Sequence, residues 1–162
     1  FIEKMGKHPL AIALRIDKVR LAGLAATLVH YLKGEPVEKI PVLRLIATPL
    51  SEIEQRAKRW VQFLGDSAAV IPGESIVGGG SLPGSTLPTQ LVVIRLKGAK
   101  MQDLARNLRQ HRPSIIGRVR ENSLFLDPRC VLPEEDEIVL KAVRDELAAS
   151  GHSIVLERVP VK

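Results

Sequence analysis

A chain of 162 residues, 45% hydrophobic and 26% charged, carries enough apolar material for a buried core, which excludes a disordered polypeptide. Its net charge of +6 favours an anionic partner, such as nucleic acid or a phosphorylated ligand, but the excess is spread along the chain and forms no basic tail. One cysteine, Cys130, excludes an intramolecular disulfide and fits a reducing cytoplasm, while the lack of a long apolar run or a visible signal peptide argues against membrane insertion.

The chain opens on FIEKMGKHPL, without Met, and reads as the end of a helix cut from something longer. Residues 17–33, DKVRLAGLAATLVHYLK, predict a helix that Asp17 caps and that Gly34 and Pro36 end. Its apolar residues, among them Val19, Leu21, Leu24, Leu28 and Leu32, cover more than one face. Such a helix is expected to be largely buried, or to pack against a partner outside this chain. A second helix follows Pro49, with Ser51 as cap and Glu52 and Glu54 near the positive end of its dipole. Ile53, Ala57, Trp60, Val61 and Leu64 recur there at helical spacing, and Gly65 closes it.

Beyond Gly65 the period changes. SAAVIPGES and QLVVIRLKG are short, β-branched strand candidates on either side of a glycine-rich stretch. A third helix is expected over about 100–111, with Met101, Leu104, Ala105 and Leu108 inward. SIIGRVRENSLFLDPR predicts a β-hairpin turning at Glu121–Asn122–Ser123. A last helix starts at Pro133, has four acids in its first turn, and runs to about Ser150 before Gly151. The tail SIVLERVPV offers one more short strand. This order does not alternate as a doubly wound sheet would. It predicts an α+β fold, with helices on one face of a small, mostly antiparallel sheet.

The stretch GESIVGGGSLPGSTLP, 73–88, lacks the Lys-Ser/Thr ending of a P-loop and does not spell GxGxxG. Ile76, Val77, Leu82 and Leu87 make it too apolar for a plain linker. Gly78, Gly79 and Gly80 expose amides that can approach an anion or cofactor closely, and Ser81 follows them without a nearby His or Lys to activate it. The four histidines have no ligand-like spacing, so no metal site is expected. Cys130, with no base beside it, reads as a structural thiol. Arg106, Arg109 and Arg112 stand three apart opposite an apolar stripe, either as a solvated face or as contacts to RNA phosphates. Arg15, just before the long apolar helix, is placed to hold an anion at a domain junction.

Several segments together resemble one family. HPL…ALRIDK (8–18), IPVLRLIATPL (40–50), ESIVGGGSLPGSTLP (74–88), IIGRV (115–119) and VLPEEDE (131–137) are similar, in order and spacing, to the C-terminal region of bacterial selenocysteine synthases. These are the L-seryl-tRNA(Sec) selenium transferases, and the likeness runs from about Lys4 to Leu147. It implies a pyridoxal-phosphate enzyme of the aspartate-aminotransferase-like fold, in which a small C-terminal domain closes over a large one. Residues 1–34 would then be a junction segment and long buried helix leading from the large domain, and 35–162 the small domain. The implied chemistry replaces the seryl hydroxyl of seryl-tRNA(Sec) with selenium from selenophosphate, in a cytoplasmic enzyme that assembles through dimers. The cofactor lysine would lie upstream of Phe1, so this chain alone is expected to be inactive and to bind no cofactor covalently. The family's R-A-L-R pattern falls on Ile12, Ala13, Leu14 and Arg15; Arg15 matches, whereas Ile12 offers phosphate nothing. The implied substrate contacts are Arg15, Gly78, Gly79, Gly80 and Ser81. Two alternatives stay open: a divergent pyridoxal-phosphate lyase or transferase that does not use tRNA, and a free-standing basic RNA-binding module.

Overall fold

A computed structural model of the chain describes residues 1–78, 84–95 and 101–149, apart from the side chains of Ile12 and Ala13. It divides into two compact units, Phe1–Arg44 and Leu45–Lys162.

The first unit is helical: α1 (Ile2–Gly6), α2 (Leu10–Ala13), α3 (Lys18–Leu32), α4 (Pro36–Lys39) and the start of α5 (Pro41–Ala47). Asp17 caps α3 as expected. Its backbone is extended, and its carboxylate accepts a hydrogen bond from the Arg20 amide at 2.9 Å. Gly34 follows the helix at φ +73°, a conformation that other residues adopt only with strain. Although α3 is apolar nearly all round, none of its residues is buried within this chain. The unit extends past Gly34 because Glu35 returns to α3: its carboxylate bonds His30 Nδ1 at 2.9 Å and its amide donates to the His30 carbonyl.

In the second unit, α6 (Leu50–Leu64) leads through a short 3₁₀ turn into β1 (Ala68–Ile76), and β2 (Thr86–Ile94) pairs back along it. Then come α7 (Met101–Gln110), the hairpin β3 (Arg118–Arg120) and β4 (Ser123–Leu126), and α8 (Asp136–Ala149). The sheet order is β1-β2-β4-β3, with every pairing antiparallel. On one face Ala68 lies opposite Ile94, Val92 opposite Leu126, and Ile94 opposite Leu124. These residues share a core with Ala57, Trp60 and Leu64 of α6, all four buried residues of α7, and Val139, Leu140, Ala142 and Val143 of α8. The fold is therefore α+β, as the change of period predicts.

Several local expectations shift. Pro49, not Ser51, holds the N-cap position of α6, and Ser51 lies inside the helix. A proline at that boundary sets an extended φ, ψ, and it has no side-chain oxygen to bond the first amides. Helix α7 ends at Gln110, so Arg112 is not on it: the residue before Pro113 is pushed away from helical geometry. β2 begins at Thr86, earlier than Gln90. The hairpin turns through Glu121 and Asn122 at φ +48° and +53°, and Ser123 already pairs with Arg120. A 3₁₀ turn, Pro133–Glu135, precedes α8. The expected stop at Gly151 and the tail strand lie outside the described residues.

Arg56, fully buried on α6, links that helix to the start of α8. Its guanidinium donates to both carboxylate oxygens of Asp136, at 3.0 and 2.5 Å, and to the Val131 carbonyl at 2.9 Å.

Candidate functional site

The glycine-rich stretch joins β1 to β2. The ladder closes at Ile76 opposite Thr86, and the Val77 amide donates to the Ser85 carbonyl at 3.2 Å. Gly78 is half-buried just beyond this bond; Gly79, Gly80 and Ser81 lie outside the described residues. Gly84 re-enters at φ +79°. Nearer the core, Gly73 makes room for the Leu91 side chain. A Cβ there would come within 2.5 Å of Leu91 Cδ1, so a side chain at 73 would force Leu91 to shift.

Beneath the turn lies a polar knot. β4 pairs with β2 only over Val92–Ile94, and the chain then turns away at Asp127. The Asp127 carboxylate accepts hydrogen bonds from Ser75 Oγ on β1 at 2.5 Å and from Thr89 Oγ1 on β2 at 2.8 Å. It also caps its own 3₁₀ turn by accepting from the Arg129 amide at 3.0 Å. The buried Arg129 guanidinium donates to the Pro88 carbonyl at 2.8 Å and to the Thr48 carbonyl at 2.8 Å, and more weakly to those of Leu45 and Ile46 in the last turn of α5. A buried cation without a carboxylate partner is costly unless its protons are met; here backbone carbonyls meet both terminal nitrogens, while Nε has no partner among the described residues.

Next to this knot is a cavity of about 550 Å³, lined by Trp60, Ser75, Arg118, Phe125, Asp127 and Cys130 among others. Burial of the sulfur, and then the neighbouring Asp127 carboxylate, push the Cys130 thiol up to about 11, although the residue as a whole reaches solvent. At neutral pH the thiol form predominates, which disfavours a nucleophilic role. The cavity does not suit pyridoxal phosphate. That cofactor needs a lysine amine for its aldehyde and donors for its phosphate, whereas no lysine lines this cavity and each described lysine is exposed.

The other expected site residues are dispersed. Arg15 is exposed in the first unit, between α2 and α3, whereas Gly78 belongs to the second. Arg106 forms an exposed ion pair with Asp103 one turn earlier on α7, Arg109 is exposed on the same helix, and Arg112 follows its end. The row of three arginines is thus a pair, one member already matched by an acid. Sequence reasoning missed Asp127 and Arg129. The Asp-Pro dipeptide after an apolar strand signals a capped turn, but not the distant hydroxyls and carbonyls those side chains reach.

An antiparallel sheet with helices packed over one face defines a small α+β domain. Residues 1–132 match the family model described as L-seryl-tRNA selenium transferase. The chain is 40% identical over 151 residues to the L-seryl-tRNA(Sec) selenium transferase of Aquifex aeolicus, covering 91% of the chain and 33% of that relative. It is 39% identical over 142 residues to that of Carboxydothermus hydrogenoformans, covering 83% and 30%. With that of Clostridium perfringens it shares 38% over 151 residues, covering 90% and 33%. The chain belongs to the L-seryl-tRNA selenium transferase family. It spans about a third of the length of these relatives. Among the described residues, no helix is long and apolar enough to cross a membrane.

Proposed function

We propose that this chain is the C-terminal part of a selenocysteine synthase that converts seryl-tRNA(Sec) to selenocysteinyl-tRNA(Sec) with selenophosphate as selenium donor. The observation that carries this reading is the 38–40% identity to relatives of that name over 83–91% of the chain. In this reading pyridoxal phosphate supplies the chemistry that activates the seryl group, and residues outside the described ones hold it, in a cytoplasmic enzyme built from dimers. Residues 1–34 are the junction with a large domain whose surface covers the apolar faces of α3. The small domain follows from residue 35, with its compact unit beginning at Leu45. Arg15 binds an anionic group of the substrates, and the amides of the Gly78–Ser81 stretch contribute further contacts. The chain by itself is inactive.

The test compares this chain with a protein of the relatives' full length that contains it. The longer protein forms selenocysteinyl-tRNA from seryl-tRNA and selenophosphate, whereas the chain alone gives no product and no borohydride-reducible adduct. Arg15→Ala in the longer protein lowers turnover by about 100-fold, the size expected when one partner of a buried charge pair is removed. A stoichiometric adduct at one lysine of this chain would overturn the placement of the cofactor. Unimpaired turnover by Arg15→Ala would remove Arg15 from the site.

A further inference from the structure

We propose that Asp127 and Arg129 are positioning residues for the glycine turn: they fix the two strand ends that carry it, so that Gly78 presents its amide from a rigid base. The importance of Gly78 rests on the function proposed above; the fixing of the strand ends does not.

β1 and β2 pair over nine residues each, but β4 accompanies β2 only from Val92 to Ile94. From Thr86 to Leu91, β2 has no strand on its far side, and Pro88 within that stretch has no amide to give. A two-stranded ribbon extending alone into solvent is marginally stable and splays readily. Where β4 ends, Asp127 and Arg129 replace it with side chains. Asp127 joins Ser75 to Thr89, one residue from each strand, both buried and both just inside the turn. Arg129 takes the Pro88 carbonyl and fastens it to the end of α5. The residues bound on β1 and β2 lie within a few positions of Val77 and Ser85, whose mutual hydrogen bond closes the turn. Both groups are committed: the Asp127 oxygens accept three bonds and the Arg129 terminal nitrogens donate four. Arg129 keeps only its buried Nε without a partner, and both side chains are engaged by the two strands and α5, so their effect on a reaction passes mainly through the strand ends.

Amide hydrogen exchange on the whole chain tests this. In the Ser75→Ala/Thr89→Val double variant, which keeps strand-forming residues, the Val77 amide should exchange at least about tenfold faster, one hydrogen bond's worth of lost protection. Amides in the Val92–Ile94 pairing with β4 should keep their wild-type rates. Asp127→Asn should restore most of the Val77 protection lost in Asp127→Ala, because the amide oxygen can still accept from Thr89 while its nitrogen donates to Ser75 Oγ. A general loss of packing would instead speed all these amides together. That result, or wild-type Val77 exchange in the double variant, overturns the proposal. Titration with inorganic phosphate, followed at the Gly78 amide, reports separately on the function. A wild-type chain whose Gly78 resonance does not respond counts against the anion-contact reading, whatever the exchange rates are.

Discussion

Helices α3 and α6 are both fifteen residues long, and the more apolar of the two buries nothing. In the first unit, Leu21, Leu24 and Leu28 of α3 are each about half exposed, at 51–52%. In the second, α6 buries Ile53, Ala57, Trp60 and Leu64 along one side, while Leu50 and Phe63 stay exposed. Apolar content alone therefore does not make a core. Burial needs one-sidedness together with a surface of matching period, and β1 and β2 supply that surface through Ala68, Val92 and Ile94. A helix apolar all round requires cover on several sides, which short helices such as α1, α2 and α4 do not provide.

The sharpest way to break this comparison is to cut into each helix in turn. Trp60→Ala should destabilise the second unit by about 3–5 kcal/mol, because the residue is 1% exposed at the centre of the core. Leu24→Ser in α3 should leave that unit's unfolding within about 0.5 kcal/mol of wild type, as a surface substitution does. Denaturant titration followed at the α3 amide resonances measures the Leu24 effect on the first unit, and circular dichroism the Trp60 one. Equal losses would mean that the two units share one core. Trp60→Phe should be far milder than Trp60→Ala, since the buried indole N–H has no acceptor among the described residues and nothing is left unpaired when it goes.

Next in size is Arg56→Ala, expected to cost about 3–5 kcal/mol by leaving the Asp136 carboxylate and the Val131 carbonyl without their donor. Replacement by Met should recover only the packing part of that loss, because it fills the space but leaves the Asp136 carboxylate as unpaired as Ala does. A Met variant as unstable as the Ala variant would show that the bidentate bond, and not the packing of the side chain, holds α6 to α8.

Much of this was legible beforehand. The inward face of α7, Met101, Leu104, Ala105 and Leu108, follows from spacing alone, as do the caps at Asp17 and Gly65, because local geometry decides them. The α+β class follows from the change of period after Gly65. The helix end at FIEKMG was legible, whereas α2, α4 and α5 were not: they are short, and PVEK or PVLRLIA carries no pattern long enough to separate a helix from a loop. The family was readable from VGGGSLPG and VLPEEDE. The knot beneath the glycine turn was not, because Asp127 reaches residues 38 and 52 positions away and Arg129 reaches 84. Such pairings depend on tertiary register, to which periodicity is blind. Arg56 illustrates the same limit: it appears among exposed Lys58 and Arg59 in sequence yet is buried in the fold.

A smaller effect separates solvent contact from reactivity. With its thiol at about 11 against an ordinary 9.0, Cys130 holds roughly 100-fold less thiolate at pH 8 than an unperturbed cysteine. Thiolates of higher pKa are intrinsically more nucleophilic, which offsets much of this, so alkylation by iodoacetamide should be about tenfold slower than for a model thiol. Asp127→Ala should quicken it by removing the nearby negative charge. Unchanged kinetics in that variant would assign the raised value to burial alone.

The smallest effect returns to the two units, because each holds a carboxylate bonded to a histidine. Glu146 accepts from His111 at 2.9 Å and from Asn107 at 3.0 Å, linking α8 to α7, whereas Glu35 bonds His30 within the first unit. The bond from His111, and then that from Asn107, lowers Glu146 below its ordinary 4.5; the bond from His30 is the first cause of the same shift in Glu35. A carboxylate lowered in the folded state stabilises it fully above the unfolded value near 4.5, and the contribution fades as pH falls through the lower folded value. Glu146→Gln should therefore flatten the loss of second-unit stability below pH 4.5, by at most about 1 kcal/mol given the partial exposure of the pair. Glu35→Gln should leave that curve unchanged, because its carboxylate and its histidine both lie in the other unit. If the two variants altered the acid limb alike, the second unit would not unfold independently of the first, and the contrast between α3 and α6 would have to be explained within a single cooperative domain.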